Sequence, residues 1–254
     1  ENKALLYAHA QRNDEALACV ERAIALDPTR ADAWGVKGVL LGRLGQTREE
    51  IAAYEAALRI DPRNVPAWFN KANSLSTVNR VLAIQCVDQA LACDPAYVAG
   101  WDLKGTLLSE LGRGAEAVAC HREAVKLNPG DGRLHYNLGN SWSSIERLQE
   151  ARDSYEAATR LSPDMPITWY NCALATFRLG RLTECVPLFE RFLSFDPPAD
   201  GLRRTAERLV GEIKAGRTPT LGQVRIGSRI TPEEQASIDA GVLPELQESP
   251  SPVP

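Results

Sequence analysis

Long apolar segments, secretory features and an excess of positive charge are all absent from this 254-residue sequence. The longest purely apolar runs are only a few residues, which argues against membrane insertion. Residues 1–25 lack the basic start, apolar block and small-residue cleavage site of a signal peptide. The formal net charge is −4, whereas a general nucleic-acid binder needs a basic face. No nucleic-acid partner is therefore expected.

Side chains that could hold a metal are few and scattered. The six cysteines form no Cys-x-x-Cys pair, and none of the three histidines lies at zinc-finger spacing from a second ligand. We therefore expect no metal site and no cofactor. The cysteines fall in segments predicted to be helical, where they are interpreted as small buried apolar residues. Such usage is typical of a reducing compartment and favours a cytoplasmic location.

Catalytic motifs are also missing. The sequence contains no Gly-x-Gly-x-x-Gly, Walker loop, His-Glu-x-x-His, Gly-x-Ser-x-Gly or calcium loop. Gly35, Gly38 and Gly42 lie within one predicted helix rather than between a strand and a helix, so they are interpreted as packing and surface positions. No catalytic residue is predicted, and the chain is not expected to be an enzyme.

What the sequence does contain is a turn signal that recurs at intervals of 34, 33, 34, 34 and 34 residues. The signal ends in proline each time: Asp27-Pro28, Asp61-Pro62, Asp94-Pro95, Asn128-Pro129, Ser162-Pro163 and Asp196-Pro197. A helical apolar pattern precedes each proline, which ends the helix because it lacks an N–H and restricts the residue before it. Each unit is therefore predicted to contain two helices and two short turns. The 33-residue interval is interpreted as a one-residue deletion in the turn near Thr77–Arg80.

Several positions of the unit share a residue type when the closing proline is counted as position 32. Position 8 is small in every unit: Ala4, Gly38, Ala72, Gly105, Gly139 and Ala173. Position 4 is usually aromatic: Trp34, Trp68, Trp101, His135 and Trp169. Position 27 is alanine until Phe192 replaces it in the last unit. Small residues let two helix axes approach to about 8–10 Å, and large ones fill the flanking grooves. The pattern resembles that of the tetratricopeptide repeat family.

The resemblance implies an all-α fold, a right-handed α-solenoid of antiparallel helix pairs over residues 1–199. Its predicted units are a partial repeat at 1–30 and full repeats at 31–64, 65–97, 98–131, 132–165 and 166–199. Residues 200–216 lack the tryptophan and carry one apolar stripe, which predicts a C-terminal capping helix. The extension at 217–254 is predicted to hold a short helix near 232–240 and a Pro-rich end.

Binding is the predicted function, and the resemblance implies where it occurs. In the family, positions 2, 5, 6, 9, 12 and 13 of the first helix face a concave groove. The candidate peptide-binding residues at such positions are Phe69, Asn70, Asn73, Asp102, Tyr136, Asn137, Asn140, Tyr170 and Asn171. They resemble the asparagine ladder of some superhelices in the family, whose side-chain amides hold the backbone of an extended peptide. The expected role is a scaffold or adaptor for a protein or peptide partner.

Other interpretations stay open at this stage. Asparagine at position 6 is frequent in the family, so the ladder could reflect ancestry rather than a ligand. Glu1 falls at position 5 of its unit, which favours a fragment, and the chain could then be the regulatory or substrate-docking arm of a larger enzyme such as a transferase or kinase. Self-association through an exposed first unit is a third interpretation, and the extension at 217–254 could also fold back into the groove.

Two narrower binding modes are disfavoured. The carboxylate clamp of chaperone-binding members needs lysine at position 5, whereas Phe69 and Tyr136 occupy that position ahead of Asn73 and Asn140. RNA-binding pentatricopeptide repeats lack this combination of tryptophan, glycine, alanine and proline. Lysine recurs at position 7, as Lys3, Lys37, Lys71 and Lys104. These lysines are interpreted as long stems over apolar surface with the ammonium in water, or alternatively as a basic row for an acidic partner.

Overall fold

The computed structural model describes residues 2–198 and 201–219, with side chains from residue 12 onward. Within these ranges the chain forms twelve α-helices and no strand. In chain order they are α1 (Asn2–Leu26), α2 (Ala31–Arg43), α3 (Thr47–Ile60), α4 (Val65–Ser76), α5 (Arg80–Cys93), α6 (Val98–Glu110), α7 (Gly114–Leu127), α8 (Gly132–Ser144), α9 (Leu148–Leu161), α10 (Pro166–Arg178), α11 (Leu182–Leu193) and α12 (Gly201–Lys214). Short turns join them, so that neighbours run antiparallel. The predicted all-α solenoid of helix pairs is confirmed.

The chain divides into two compact units, the first ending at Leu107 and the second beginning at Leu108 within α6. In the first unit α2 packs on α3 and α4 on α5, and in the second α8 packs on α9 and α10 on α11. Within each unit, helices pack on those next to them in sequence, such as α3 on α4 and α9 on α10, as in a repeat array. The helices α2, α4, α6, α8 and α10 are called first helices below, and α3, α5, α7, α9 and α11 second helices.

The aromatic residue at position 4 closes the turn that precedes each first helix. The indole N–H of Trp68 donates to the Pro62 carbonyl at 2.9 Å, and Trp34, Trp101 and Trp169 repeat the bond at 3.1, 2.9 and 3.0 Å. His135 makes the same contact, its Nε2 lying 3.0 Å from the Pro129 carbonyl. Because a carbonyl only accepts, that nitrogen carries the hydrogen. Histidine therefore replaces tryptophan here and keeps the hydrogen bond to the proline carbonyl, called the turn bond below.

Position 8 is small because the ring at position 24 lies directly against it. A Cβ at Gly38 would lie 2.5 Å from Cε1 of Tyr54, a distance that real Cβ atoms do not reach. Tyr54 is 2% exposed and among the largest fully buried side chains of the described residues. The close approach of two helices thus depends on a missing methyl group, as the packing argument predicts.

Three turns between first and second helices contain a left-handed glycine: Gly45, Gly112 and Gly180, with φ of 74°, 75° and 77°. Glu146 occupies the corresponding position in the turn between α8 and α9 and has φ 63°. The turn at residues 77–79 has no positive-φ residue, and the Asn79 side chain instead accepts from the Leu82 amide at 3.1 Å.

Two features differ from the sequence-based expectation. The one-residue deletion shortens α4, which has 12 residues where α2, α6, α8 and α10 each have 13. The missing residue shortens the end of α4 and not the turn, because the turn still needs enough residues to reverse the chain direction. The second difference is that α1 continues without a turn from Asn2 to Leu26. Gln11 stands there at position 15, where glycine allows the left-handed conformation in three other units.

The helix α12 covers the apolar side of the last helix pair. Ala206 and Leu209 are fully buried in one cluster with Phe189 and Phe192. The opposite side of α12 carries ion pairs such as Arg203–Glu207 and Arg208–Glu212. This helix lies where the capping helix is predicted, whereas the predicted short helix near 232–240 and the Pro-rich end lie outside the described residues.

Candidate functional site

The candidate residues of the first unit lie on α4 and α6. Phe69 is half-buried and its ring meets that of Tyr97 edge-on, with centroids 5.2 Å apart. Asn70 is half-buried and Asn73 exposed, one turn apart on α4. Asp102 on α6 is buried, at 9% exposure. The exposed surface of this set is therefore provided mainly by α4.

Three candidate residues of the second unit come together around one amide. The Tyr155 hydroxyl donates to Oδ1 of Asn140 at 2.8 Å, and Nδ2 of Asn171 approaches the same oxygen at 3.3 Å. That Nδ2 also lies 3.5 Å from the Tyr136 hydroxyl. Asn140 and Asn171 stand on successive first helices, α8 and α10, so the contact joins two repeats. The Asn140 oxygen is thereby occupied, and its Nδ2 is the group left to a ligand.

These asparagines line a pocket of about 230 Å³ between α8, α9 and α10. Its lining residues are Asn140, Ser143, Ser144, Tyr155, Asn171, Leu174, Ala175 and Arg178. Asn140, Ser143 and Ser144 are at positions 9, 12 and 13 of α8. Asn171, Leu174 and Arg178 are at positions 6, 9 and 13 of α10. The structure therefore opens a pocket at the positions that the family resemblance assigns to a groove.

Arg178 is the charged residue among those that line this pocket. Its Nη2 donates to Oε2 of Glu146. Its Nη1 is shielded from solvent and has no acceptor among the described residues. Burial raises the pKa of Tyr155 far above its usual range, with a smaller contribution from nearby Tyr136. The Tyr155 hydroxyl therefore stays protonated at neutral pH and remains a hydrogen-bond donor to Asn140.

Tyr170 is placed differently from the sequence-based expectation. It is 6% exposed, and its ring meets Phe189 and Phe192 edge-on with centroids 5.7 and 5.2 Å apart. Phe192 replaces the alanine that other units carry at position 27, and its ring buries Tyr170 in the core. Asn137 is half-buried on α8 but does not line the pocket.

Four residues that line the pocket were not predicted from the sequence, namely Ser143, Ser144, Tyr155 and Arg178. The two serines and Arg178 are at positions 12 and 13, so the groove positions were a usable signal. Tyr155 is at position 24, as Tyr54 is in its own unit, and its ring is buried at 3% exposure. Its hydroxyl also holds the Asn140 amide. This contact depends on the distance between α8 and α9, which the repeat period of the sequence does not predict.

The position-7 lysines form a repeated structural contact. The Nζ atoms of Lys37, Lys71 and Lys104 lie 2.8, 2.9 and 2.7 Å from Glu21, Glu55 and Asp88, acids of the preceding helix. Each Nζ also lies 5.6–5.8 Å from the ring centre of the tryptophan one turn earlier. The ammonium groups are thus held between an indole face and a carboxylate. This pairing neutralises the row and disfavours it as a site for an acidic partner.

Three further features of the described residues bear on function: metal binding, membrane spanning and the buried histidine. No group of three or more side chains suited to a metal ion occurs among residues 12–198 and 201–219. Over the part of the chain that the structure describes, no helix is both long and apolar enough to cross a membrane. The buried His121 bonds through Nδ1 to the Ser141 hydroxyl at 2.8 Å, which makes it a core residue.

Comparison with known families and proteins identifies the repeat pattern. One tetratricopeptide repeat model matches residues 4–69, and a second matches residues 103–166 and 143–200. The chain is 27% identical over 173 residues to the protein O-mannosyl-transferase TMTC1 of Homo sapiens, covering 66% of this chain and 20% of that protein. It is 28% identical over 100 residues to the Hsp70-Hsp90 organizing protein of Triticum aestivum, covering 39% and 17%.

A third relative is the cytochrome c-type biogenesis protein CycH of Bradyrhizobium diazoefficiens, 25% identical over 145 residues, or 56% of this chain and 39% of that protein. The chain thus spans well under half the length of these relatives. Among solved structures, YrrB, described as a TPR protein with an unusual peptide-binding site, has a TM-score of 0.65 at 19% identity and covers 74% of this chain and 97% of its own. PilF of Pseudomonas aeruginosa has a TM-score of 0.64 at 16% identity, covering 84% and 95%. At these identities the likeness concerns the fold.

Proposed function

Because the chain belongs to the tetratricopeptide repeat family, whose repeats mediate protein–protein interaction, we propose that it is a scaffold that holds an extended segment of a partner protein on the face of its first helices. The observation that carries the proposal is the pocket between α8, α9 and α10, in which Asn140 and Asn171 are joined by a hydrogen bond. Asn70 and Asn73 present the same side-chain chemistry on α4 of the first unit.

The arrangement suits a peptide backbone. An amide side chain offers both a donor and an acceptor, so it can bond a peptide unit whatever side chain that unit carries. Tyr155 holds Asn140 in place before any ligand arrives. A side chain that is already ordered loses little conformational entropy on binding. The pocket is therefore prepared for a hydrogen-bonded ligand rather than for a purely apolar one.

A matched pair of double variants tests the proposal. Peptides that bind the chain are selected from a displayed random library, and their affinities are measured by fluorescence anisotropy. We expect Asn140→Ala/Asn171→Ala to weaken binding by about tenfold or more, since each lost hydrogen bond costs about 1 kcal/mol. The control, Gln85→Ala/Gln89→Ala, removes two amides from a different pocket, of about 500 Å³, that α3, α4 and α5 line.

The two variants separate the possible surfaces. Unchanged affinity in the asparagine variant, with loss in the glutamine variant, would contradict the proposal and place the ligand against α3 and α5. Circular dichroism and melting temperature must match the wild type before the affinities are compared.

No catalytic role is proposed for the described residues. None of the six cysteines forms a disulfide bond, which supports a reducing compartment such as the cytoplasm.

We propose one alternative, that the chain is the docking or regulatory arm of a larger enzyme. The observation in its favour is the match to a relative named as an O-mannosyl-transferase, of which the matched region covers 20%. The complete reading frame tests this directly. A catalytic domain encoded next to these repeats would support the alternative, and a frame holding repeats alone would exclude it.

A further inference from the structure

The helix α5 differs from the other second helices in the surface that it shows to solvent. Its exposed residues are Arg80 at the start and then five uncharged ones, called the α5 stripe below: Val81, Leu82, Gln85, Gln89 and Ala92. Val81 is 57% exposed and Leu82 45%. The inner side of α5 is apolar and buried, so this helix has little charged surface on any side. Helices of that kind are normally covered on all sides.

The positions of the stripe are charged in the other repeats. With the closing proline counted as position 32, they are positions 18, 19, 22, 26 and 29, and each of α3, α7, α9 and α11 has at least two charged residues at them. Position 19 is glutamate in all four of these helices, as Glu49, Glu116, Glu150 and Glu184. Leu82 therefore departs from the repeat pattern, and its departure makes the surface apolar.

A pocket of about 500 Å³ lies beside the stripe, between α3, α4 and α5. Gln85 and Gln89 border it, and its apolar lining consists mainly of Ile51, Trp68, Leu75 and Leu82. The charged residues of the lining are paired with each other, since Nζ of Lys71 lies 2.9 Å from Glu55. The lining therefore suits an uncharged, apolar side chain.

The second unit bridges the equivalent space with its own side chains. Arg152 and Glu184 are at positions 21 and 19, which Ile51 and Leu82 occupy in the first unit. Nη2 of Arg152 lies 3.3 Å from Glu184, so this ion pair joins α9 to α11. In the first unit an apolar pair replaces the ion pair, and the space beside Leu82 stays open to an occupant.

We propose that the occupant is a second copy of this chain, with α5 of the two copies packed antiparallel about a two-fold axis near Gln85. A two-fold interface uses the same surface on both copies, so that surface must present both the projecting side chains and the space that receives them. The α5 stripe meets this requirement. With the axis at Gln85, Val81 of one copy faces Gln89 of the other, a residue that borders the pocket.

Charge and side-chain size along the stripe fit this pairing. Residues close to a two-fold axis meet their own counterparts, so a charge there would oppose a charge of the same sign. The α5 stripe is uncharged, and the Gln85 amide at the axis can donate to and accept from its counterpart. Val78, 67% exposed in the turn before α5, comes near the small Ala92 of the other copy. A large residue therefore packs on a small one.

The size of the surface sets the strength of the contact. Each copy contributes chiefly one helix of 14 residues. Such a helix is about 21 Å long, which places the interface at the low end of the range for specific contacts. We therefore expect a reversible dimer with a dissociation constant on the order of 10 µM.

Sedimentation velocity of the full chain 1–254 tests the pairing, and the wild type should change from monomer to dimer between about 1 and about 300 µM. Leu82→Glu introduces the residue that the other second helices carry at position 19, which the fold accepts. It should weaken dimerisation by about 100-fold, because each lost leucine contact costs about tenfold and the interface contains two. Leu161→Glu, at a leucine that is 43% exposed at the end of α9, is the control and should leave the dimer unchanged.

A charge exchange at the axis tests the antiparallel arrangement. Gln85→Glu and Gln85→Lys each place two like charges at the axis, so each variant alone should dimerise about tenfold more weakly. An equimolar mixture of the two should recover at least the wild-type level of dimer, because opposite charges then meet. Gln85 is exposed, and Asp153 occupies the same position in α9, so both variants should fold. Circular dichroism and melting temperature check this for every variant.

Three results would overturn the proposal: a wild type that is monomeric at every concentration, a dimer that Leu82→Glu leaves intact, or an equal loss in Leu161→Glu. A mixture of the two Gln85 variants that stays monomeric would reject the antiparallel pairing. The proposed peptide surface is formed by first helices, so Leu82→Glu should bind displayed peptides as the wild type does. A monomeric wild type whose peptide affinity falls in Leu82→Glu would assign the stripe to a partner segment and overturn the second copy as its occupant.

Discussion

Gly139 on α8 leaves the space in which the ring of Tyr155 on α9 lies, since a Cβ at residue 139 would be 2.5 Å from Cε1 of that ring. The hydroxyl of the same ring donates to Asn140, the residue next to the glycine. The close helix packing at Gly139 and the hydrogen bond that holds Asn140 therefore depend on the same tyrosine ring. Gly38 and Tyr54 repeat the packing half of this relationship in the first unit.

The first prediction concerns Gly139→Ala. The added methyl group must displace the Tyr155 ring, and overpacking of this kind costs about 1–3 kcal/mol, partly offset by the higher helix propensity of alanine. Urea unfolding followed by circular dichroism measures the loss. Gly211→Ala is the control, because a Cβ there meets open space and should stabilise α12 by about 0.5–1 kcal/mol. Equal effects of the two substitutions would contradict the packing account.

The second prediction concerns Tyr155→Phe. The ring still fills the space beside Gly139, but the Asn140 oxygen loses the closer of its two donors, so stability should fall by about 1 kcal/mol and peptide affinity should fall with it. Anisotropy titration with a selected peptide measures the affinity. Tyr54→Phe removes a hydroxyl from the equivalent ring of the first unit and serves as the control. An affinity that falls as much in the control would show that Asn140 is not the affected group.

The third prediction concerns the turn bond of His135. His135→Phe removes the N–H that reaches the Pro129 carbonyl and should destabilise the chain by about 1 kcal/mol. His135→Trp should retain or raise stability, since tryptophan makes the same bond from Trp34, Trp68, Trp101 and Trp169. Thermal unfolding compares the variants, with Trp169→Phe as a reference for loss of the bond. A phenylalanine variant as stable as wild type would refute the assigned role.

The fourth prediction concerns the backbone at Glu146. Glu146→Gly relieves the left-handed conformation but loses the contact to Arg178, whereas Glu146→Gln loses the charge alone. The glycine variant should be more stable than the glutamine variant by about 1 kcal/mol, the usual cost of a non-glycine residue in this region. Gly180→Ala, at the equivalent position with φ 77°, should be destabilising. Indistinguishable Glu146 variants would show that the turn is unstrained.

The fifth prediction concerns alkaline stability. Burial raises the pKa of Cys172 to about 11 and of Cys185 to about 11 from the usual value of 9.0. Between these values the unfolded chain loses thiol protons that the folded chain keeps. The stabilisation is therefore complete below pH 9.0 and is lost as pH rises toward about 11, by up to about 1.4 kcal/mol per pH unit for each thiol.

Urea unfolding of the reduced protein at several pH values measures this slope. The variant Cys172→Ala should show a shallower loss of stability above pH 9.0 than the wild type. Cys19→Ala, at an exposed position, is the control for removing a thiol. A slope that is unchanged by Cys172→Ala would place the alkaline sensitivity in other groups, among them Tyr54, whose pKa burial raises to about 12.

Much of the fold could be predicted because its signals are local. Each proline period after Pro28 located a helix pair, and position 8 correctly marked where Gly38 lies against a ring. The prediction failed where a turn lacked its usual residue: α1 runs on past Gln11, and the deletion near Thr77 shortens α4 rather than the turn. Glycine is only one way to form such a turn, as Glu146 shows, so its presence or absence in sequence does not decide the geometry.

The candidate site was predictable in part. Asn140 and Asn171 were found because the repeat register places them on successive first helices. Tyr170 was assigned to the groove, but contact with Phe192 draws its ring into the core. Arg178 was not selected, since its place in the pocket lining follows from contacts between helices. It donates to Glu146 and lines the pocket that both asparagines border.

The sequence by itself determined the helix-pair period, the family and the positions of the candidate groove residues, because proline, glycine and apolar spacing act within a few residues of the chain. Only the tertiary structure decided which side chains meet. The contact between Asn140 and Asn171 joins residues 31 apart, and that between Glu146 and Arg178 residues 32 apart. Such contacts depend on how closely neighbouring helices pack and how their side chains turn, and no local pattern encodes those distances.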